Sequence, residues 1–552
     1  MNGLQPVGPL WRGAARLIAL GVLAPVLGLA WLAAGGDLAH WSHLAEYVLP
    51  QAALQTALLL AGVGVLVLAI GTGCAWLVSA CDFPGRGVLH WALLLPLAMP
   101  TYIVAFAYLD LLHPIGPVQG AVRWLLGYES PREFRLPDLR SLPGAVLVLG
   151  FVLYPYVYMM ARAVFMTQPA HLLEAARTLG ASRAGAFFRV ALPLARPALA
   201  IGLSLALLET LNDIGASEFL GVHTLTVAVY TTWITRSDLG GAAQIACAML
   251  FAVVLLVLLE RHGRRRQRFG AVQRMHAMQP RRLHGAAAWA ATAAASAPVL
   301  IGFGAPALYL AWETAKRLHR GHGVSASLIA SLGNTLALAG GVTVTAMVAG
   351  LVVAWGARRL RSAGDARRPG AASARIATLG YALPGTVLAI GLLTPALALD
   401  NALADLLGLR QLPLMGAGIV LVVACTIRFL AMPVGGIEAG LGRIPPAIEQ
   451  AARLLGETAS GTLRRVHLPL LAPALATSAL LVFVDAMKEL PATLLLRPAN
   501  FDTLATWLYA EAARGTYEEG AIAALGIVLA GLLPVALLAR TQLREPLRGD
   551  IA

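Results

Sequence analysis

Long apolar stretches separated by short polar segments make up most of the chain. A helix that crosses a bilayer needs about 20 predominantly apolar residues, and twelve stretches approach that length. Six are centred near residues 25, 66, 100, 155, 208 and 250, and six near 298, 344, 386, 425, 481 and 530. The pattern predicts an all-α polytopic membrane protein with about twelve transmembrane helices in two sets of six.

Composition and charge agree with a membrane protein. The 552 residues are 58% hydrophobic and only 13% charged, which leaves too few polar side chains to cover a soluble surface of this size. The net charge of +14 would favour nucleic acid as the partner of a soluble chain. Here the arginines lie in short segments between apolar stretches, where they set topology. The lipid bilayer is therefore the predicted surrounding, and no nucleic acid is expected as a partner.

The distribution of arginine predicts the orientation. Eight arginines lie in 261–282 and six in 358–375, whereas the predicted outer loop 35–50 has no Lys or Arg. An excess of basic residues marks cytoplasmic loops, so both termini are expected in the cytoplasm. The predicted outer segment 113–142 runs against this trend with four arginines, but it also holds three carboxylates.

The first apolar stretch, 17–34, follows Arg12 and Arg16, as the core of a signal peptide would. Its length is nearer to a spanning helix than to a signal core of about 7–15 residues, which favours an uncleaved first helix. The cysteines are assigned to packing, because none has the spacing of a metal or haem site, and no metal ligand is assigned. They are Cys74, Cys81, Cys247 and Cys425.

The two halves of the chain are copies of each other. Residues 174–200 align with 450–476 without a gap, so that Gly180 matches Gly456 and Pro193 matches Pro469. Gln55-Thr56 and Ala75-Trp76 likewise recur, at one shared spacing, as Asn334-Thr335 and Ala354-Trp355. An even number of spans per half predicts parallel repeats about a pseudo-twofold axis along the membrane normal, with the pathway between them. The predicted organisation is a first repeat at 1–260, an Arg-rich cytoplasmic linker at 261–285 and a second repeat at 286–552.

A moderately polar segment follows the fourth span of each half, at about 167–195 and 439–471. In the first copy, Ala175, Ala176 and Leu179 favour a helix, and Gly180 permits a sharp turn. The segment predicts helix, glycine, helix on the cytoplasmic side. A short helix of this kind fits a groove on a partner. The alternative is an amphipathic loop on the lipid headgroups, which two copies in equivalent places make less favourable.

These segments resemble the "EAA" loop of binding-protein-dependent ABC importer permeases. The matching positions in the first copy are Glu174, Ala175, Ala176, Gly180, Val190 and Pro193, and in the second copy they are Gln450, Ala451, Ala452, Gly456, Val466 and Pro469. The resemblance covers nearly the whole chain except the linker and the first span of each half. Because Gln450 replaces the glutamate in the second copy, the two halves are expected to bind their ATPase with unequal strength.

The resemblance implies a type I importer permease with the MetI-like fold in a bacterial inner membrane. Each loop would carry a coupling helix seated on an ATP-binding-cassette subunit, two copies of which would hydrolyse ATP with Mg²⁺. Closure of the ATPase dimer would switch the permease between inward-open and outward-open states. A periplasmic binding protein would deliver the cargo, and this chain itself would bind no cofactor.

The ATPase is expected to be a separate polypeptide, and the permease is expected not to be an enzyme. A phosphate-binding P-loop needs a lysine directly after a glycine. The chain has two lysines, and both follow other residues: Lys316 follows Ala315, and Lys488 follows Met487.

Ionisable residues in the fifth span of each half are candidates for the translocation pathway. They are Glu209 and Asp213 in the first half and Asp485, Lys488 and Glu489 in the second. Carboxylates four residues apart share a helix face, and four of them near the axis would suit a hard cation such as ferric iron. The alternative is that these groups do not touch cargo, but cap loops, pair with Lys488 or line a water-filled gate.

The stretch MKELPATLLLRP, followed by Phe501-DTLATWLY, resembles the permeases of ferric-iron importers, as does the double-length chain. Thiamine permeases are also fused, and polyamine, sulfate and phosphonate permeases share the loop, so these cargoes stay open. An ion-gradient-driven secondary transporter is the rival of another class, although it leaves the paired loops unexplained. A membrane enzyme is disfavoured because histidines such as His171 and His467 belong to no catalytic constellation.

Overall fold

The computed structural model describes residues 9–36, 38–167, 170–264, 280–321, 323–361, 369–408 and 413–544. In the first half the helices are α1 (Pro9–Ala34), α2 (Leu38–His43), α3 (Leu49–Ala80), α4 (Arg86–Ala92), α5 (Thr101–Leu111), α6 (Pro117–Leu126), α7 (Leu142–Thr167), α8 (Ala170–Thr178), α9 (Arg183–Ala186), α10 (Leu192–Asn212), α11 (Gly215–Phe219), α12 (Leu225–Tyr230) and α13 (Leu239–Arg264).

In the second half they are α14 (Ala286–Val299), α15 (Ala305–His319), α16 (Ala326–Arg361), α17 (Pro369–Ala377), α18 (Gly385–Leu407), α19 (Pro413–Gly416), α20 (Ile419–Phe429), α21 (Ala431–Gly442), α22 (Pro446–Leu454), α23 (Ala459–Thr462), α24 (Leu468–Met487), α25 (Pro491–Leu496), α26 (Leu504–Arg514) and α27 (Tyr517–Arg544). Short 3₁₀ or π turns join several neighbouring pairs. They are Leu44–Val48, Leu95–Ala98, Phe187–Ala191, Thr231–Thr235, Leu300–Gly304, Thr378–Ala382 and Leu463–His467.

The predicted all-α architecture with about twelve spans is confirmed. Within the described residues, ten helical runs are apolar and long enough to cross a membrane: α1, α2–α3, α7, α9–α10, α13, α14–α15, α16, α18, α23–α24 and α27. Two further spans are bent pairs, α4–α5 with an angle of 92° and α20–α21 with an angle of 45°. They correspond to the apolar stretches centred near residues 100 and 425.

Proline explains both bends. Pro100 precedes α5 in an extended conformation, with ψ of 144°, and it has no N–H to continue the preceding turn. In the second bent pair, Pro433 lies in the first turn of α21, where it cannot donate to the carbonyl of Phe429. Both spans are therefore interrupted near their middles.

Two compact units account for the chain, and each takes segments from both halves. One unit combines Met1–Leu44, Val229–Leu250 and Val324–Trp507. The other combines Ala45–Ala228, Phe251–Gly323 and Leu508–Ala552. The first span of each half therefore belongs to the unit that holds most of the opposite half. The repeat boundaries at 260 and 286 stay a prediction, and the compact units do not coincide with them.

Close packing through glycine holds α1 in its unit. A Cβ atom on Gly391 of α18 would lie 2.0 Å from the carbonyl oxygen of Pro25, and one on Gly28 would lie 2.1 Å from the carbonyl oxygen of Gly391. Small residues allow helix backbones to approach closely within a membrane. In the other unit, Gly71 of α3 meets the backbone of α7 at Tyr154 in the same way.

The end of the predicted linker is ordered against the first half. Strand β1 (Cys81–Asp82) pairs in parallel with β2 (Arg281–Arg282), and the Leu283 N–H donates to the Asp82 carbonyl at 2.8 Å. Burial raises the pKa of the Cys81 thiol, against the opposing effect of nearby Arg281 and Arg86. Residues 265–279 of the linker lie outside the described part of the chain.

Candidate coupling loops and pathway residues

The two predicted loops have the same local structure. We call residues 170–191 the first coupling loop and 446–467 the second. In the first, α8 ends before Gly180, which has a φ of +88°, and in the second, α22 ends before Gly456, which has a φ of +87°. This left-handed conformation is strained for residues that carry a Cβ atom. The predicted arrangement of helix, glycine and helix is confirmed in both copies.

A side-chain cap begins the short helix after each glycine. The Ser182 hydroxyl accepts a hydrogen bond from the Gly185 N–H, and the Thr458 hydroxyl accepts one from the Gly461 N–H, each at 3.1 Å. Such caps satisfy amide groups that have no partner within the helix. The repeat thus extends to individual hydrogen bonds.

An aromatic contact joins the first coupling loop to the second span. The Trp76 ring in α3 lies 5.3 Å from the Phe165 ring and 4.9 Å from the Phe187 ring, which begins the π turn of the loop. In the second copy, Trp355 in α16 lies 4.9 Å from the ring of buried His467. The sequence match of Trp76 with Trp355 marked the repeat but did not reveal this anchoring role.

Each coupling loop presents exposed aliphatic side chains beside its glycine turn. Leu179 is 88% exposed and Leu455, at the equivalent position, is 85% exposed. The predicted coupling residues Glu174, Ala175, Gln450 and Ala451 are also exposed, whereas Ala176 is half-buried and Ala452 is buried. An apolar tip with a polar margin has the chemistry of a docking surface. The assignment of these residues to ATPase coupling stays a prediction.

Asp213 is buried at the junction that follows the fifth span of the first half. Its carboxylate accepts a hydrogen bond from the Ser217 N–H at 2.8 Å, at the start of α11, and another from the Thr101 hydroxyl. Thr101 begins α5 immediately after the bend in the third span. Asp213 therefore ties the end of α10 to the broken third span.

Glu489 occupies the equivalent junction in the second half. It accepts hydrogen bonds from the N–H groups of Ala492 and Thr493, both at 2.9 Å, at the start of α25. Its Oε1 also lies 3.1 Å from Nη1 of Arg428 in α20. Both side chains are almost fully buried, so the guanidinium compensates a charge that would otherwise be costly in this place.

The other pathway candidates lie further back in the fifth spans. Glu209 is half-buried in α10, and Asp485 in α24 pairs with Lys488 at 2.8 Å. The expectation that carboxylates four residues apart share a helix face is wrong, because α10 ends at Asn212 and α24 at Met487, before Asp213 and Glu489. The capping bonds give Asp213 and Glu489 a structural role, and their place in a pathway stays a prediction. Among the described residues, no three His, Cys, Asp or Glu side chains are grouped to hold a metal ion.

A threonine bridge recurs in both units and was not foreseen. The Thr56 hydroxyl accepts from the Leu225 N–H at 2.9 Å, and the Thr335 hydroxyl accepts from the Leu504 N–H at 2.8 Å. Each bond joins the second span of a half to the first residue of a later helix. In the first half α3 is joined to α12, and in the second half α16 is joined to α26. The shared spacing of Thr56 and Thr335 was the visible signal, although nothing local predicted their distant partners.

Two broken spans, together with a junction and a glycine-turn loop that each occur in both halves, describe a membrane-spanning protein built from two repeats. Residues 67–269 and 346–543 both match the model of the binding-protein-dependent transport system inner membrane component. The chain belongs to this family, and it is the permease of an ABC importer. Membership implies an ATPase and a binding protein as partners.

Comparison with known proteins gives relatives of different cargo. The chain is 24% identical to the Fe(3+)-transport system permease protein FbpB 2 of Haemophilus influenzae over 88% of each chain. It is 32% identical to the molybdenum transport system permease protein ModB of Escherichia coli over 35% of this chain and 82% of the relative. Among solved structures, a bacterial alginate ABC transporter in complex with its alginate-bound periplasmic protein matches 46% of this chain and 93% of that chain, with a TM-score of 0.37 and 18% identity.

Proposed function

We propose that the chain is the permease of a ferric-iron importer, which receives cargo from a periplasmic binding protein and is driven by two copies of a separate ATPase. The observation that carries the cargo assignment is the extent of the match with FbpB 2, which covers 88% of both chains. The molybdenum permease matches only 35% of this chain. The iron permease therefore shares the fused, two-half organisation.

The stretch that resembles iron permeases is also a structural unit. Glu489 caps α25 and pairs with Arg428, and Arg497, at the end of α25, pairs with Asp502. These contacts fix the connection from the fifth span, α24, through α25 to α26 in the second half. A movement of the fifth span would therefore pass through this connection from α24 to α25 and α26.

In this proposal, the coupling loops transmit the movement of the ATPase to the membrane helices. The first leads through its π turn directly into α10, and the second leads through its π turn into α24. Aromatic packing on Trp76 and Trp355 makes each loop a rigid extension of the membrane helices. Closure of an ATPase dimer on the exposed loop tips would thus move the fifth spans as bodies. If both termini lie in the cytoplasm, as the distribution of arginine predicts, these tips would lie on the side where ATP is available.

Competition between cargoes tests the assignment. Proteoliposomes would contain the permease with its ATPase, and the cognate binding protein would be loaded with radioactive ferric iron. We expect ATP-dependent iron uptake that excess molybdate, thiamine or a polyamine leaves unchanged. Uptake of molybdate in place of iron would contradict the proposal and would favour the cargo of the half-length relative.

A further inference from the structure

A short helix at the end of α7 opposite the first coupling loop has its polar residues facing inward. Helix α6 lies in segment 112–141, which connects α5 to α7. Since α7 runs from Leu142 to Thr167 and then enters the first coupling loop, its beginning lies on the other side of the membrane. The same connection in the second half is the much shorter 408–418. In the described part of that connection, the helix is the four-residue α19, so the ten-residue α6 has no counterpart of its length there.

The buried face of α6 is polar. Gln119 is only 2% exposed and Arg123 only 7% exposed, and residues four apart share one face of a helix. The Gln119 amide donates to the Leu112 carbonyl at 2.7 Å and accepts from the Leu136 N–H at 3.1 Å. Both hydrogen bonds reach backbone on either side of the helix, so they set its rotation about its own axis.

The outward face of α6 is apolar. Trp124 is 80% exposed and Leu125 is 76% exposed, and Ala121 lies between them on the same face, also exposed. No charged side chain of α6 shares this face. A helix at a water-facing surface has the reverse pattern, with its apolar stripe toward the protein. The exposed face of α6 therefore faces something other than water.

We propose that α6 lies in the membrane interface, with Ala121, Trp124 and Leu125 inserted among the lipids of the leaflet opposite the first coupling loop. With ten residues, α6 is too short to cross the bilayer. Spanning helices follow and precede it, since α5 ends at Leu111 and α7 begins at Leu142. Tryptophan is enriched at the membrane interface, where its ring is apolar and its N–H can reach water.

The chain beyond α6 supports lipid rather than a docked protein as the occupant. The following residues carry both signs of charge on exposed side chains, namely Glu129, Arg132, Glu133, Arg135, Asp138 and Arg140. A protein that approaches from water would meet these mixed charges. The charge-free face of α6 is suited to hydrocarbon and to the lower headgroup region. The segment thus divides into a lipid-facing helix and a water-facing loop.

Collision measurements on spin labels test this division. Single cysteines would replace Ala121 and Leu125, in a chain whose four native cysteines are changed to serine, and the complete transporter would be placed in phospholipid nanodiscs. Arg132→Cys, which is exposed in the same segment, is the matched control. Oxygen concentrates in lipid and a charged nickel chelate stays in water. We expect collisions with oxygen to exceed those with nickel at 121 and 125, and the reverse at 132.

Two results would overturn the proposal. Labels at 121 and 125 that collide with nickel as often as the label at 132 would place α6 in water. Labels that respond to nickel in the free transporter, and lose both kinds of collision when the binding protein is added, would make the face a protein docking site. The three labelled positions are exposed, so the labels do not disturb the packed interior. Because Cys74 and Cys425 are buried, the cysteine-free parent must first show ATP-dependent uptake equal to that of the unmodified chain.

Discussion

Arg428 and Glu489 form a buried ion pair, with Nη1 and Oε1 separated by 3.1 Å. It joins the bent tenth span to the junction after the eleventh. At the equivalent junction of the other half, Asp213 is bound by the Thr101 hydroxyl and the Ser217 N–H. The same structural task is therefore performed by an ion pair in one half and by neutral donors in the other.

Removal of the cation should damage the protein more than removal of both charges. Arg428→Met leaves Glu489 buried without its cation, which costs about 3–5 kcal/mol when a buried pair is broken. The double variant Arg428→Met with Glu489→Gln should recover much of this loss. Thermal unfolding of the purified permease in detergent measures the difference. A double variant less stable than the single variant would show that the pair is not the source of the effect.

The hydroxyl of Thr101 and the carboxylate of Asp213 should be energetically coupled. Groups joined by a buried hydrogen bond show interaction energies of about 0.5–3 kcal/mol in double-mutant cycles. We therefore expect Thr101→Val to destabilise the parent protein, and to have a much smaller effect when Asp213 is already alanine. Unfolding midpoints of the four proteins complete the cycle. Additive effects would mean that the contact contributes nothing to stability.

The glycine turns of the coupling loops should not tolerate a side chain. Gly180→Val and Gly456→Val force a β-branched residue into a left-handed conformation, which costs about 1–2 kcal/mol or more at each site. We expect the double variant to retain less ATPase during co-purification. Gly73→Val is the control, because Gly73 lies within helix α3 with open space beside it. Unchanged ATPase retention in the double variant would show that the glycine turns are not needed for docking.

The tryptophan anchor of the first coupling loop should control the stability of that loop. Trp76→Ala removes a ring packed on Phe165 and Phe187, and truncation of such a side chain costs about 3–5 kcal/mol. We expect faster tryptic cleavage within 170–191 and a lower unfolding temperature. The same substitution at the exposed Trp289 is the control and should change neither. Equal cleavage rates for the two variants would contradict the anchoring role.

The sequence predicted those features that depend on local pattern. Apolar length located twelve spans, and the duplicated glycine located the turns of both coupling loops at Gly180 and Gly456. Local signals could not reveal which distant group meets Asp213 or Glu489, since Thr101 and Arg428 come from other spans. The helix-face prediction for these carboxylates was wrong because each lies just beyond a helix end. Beyond a helix end, the helical period of 3.6 residues no longer predicts which side chains share a face.

Two larger features also escaped prediction. The compact units each include the first span of the opposite half, and sequence similarity between halves cannot show such an exchange. The inverted polarity of α6 was hidden for a different reason. The outward direction of Trp124 follows from the two hydrogen bonds of Gln119 to backbone outside the helix. Segment 113–142 was identified only as an exception to the charge rule.

ATP-dependent uptake tests the central claim that both coupling loops transmit work from a separate ATPase. Uptake of binding-protein-delivered iron would be compared in proteoliposomes with and without the ATPase, for the parent chain and for Leu179→Asp with Leu455→Asp, which places charges on both exposed loop tips. We expect uptake by the parent only when the ATPase and ATP are present, and a loss of at least tenfold in the variant, equivalent to about 1.4 kcal/mol. Uptake that persists without the ATPase, or that the variant retains in full, would contradict the account.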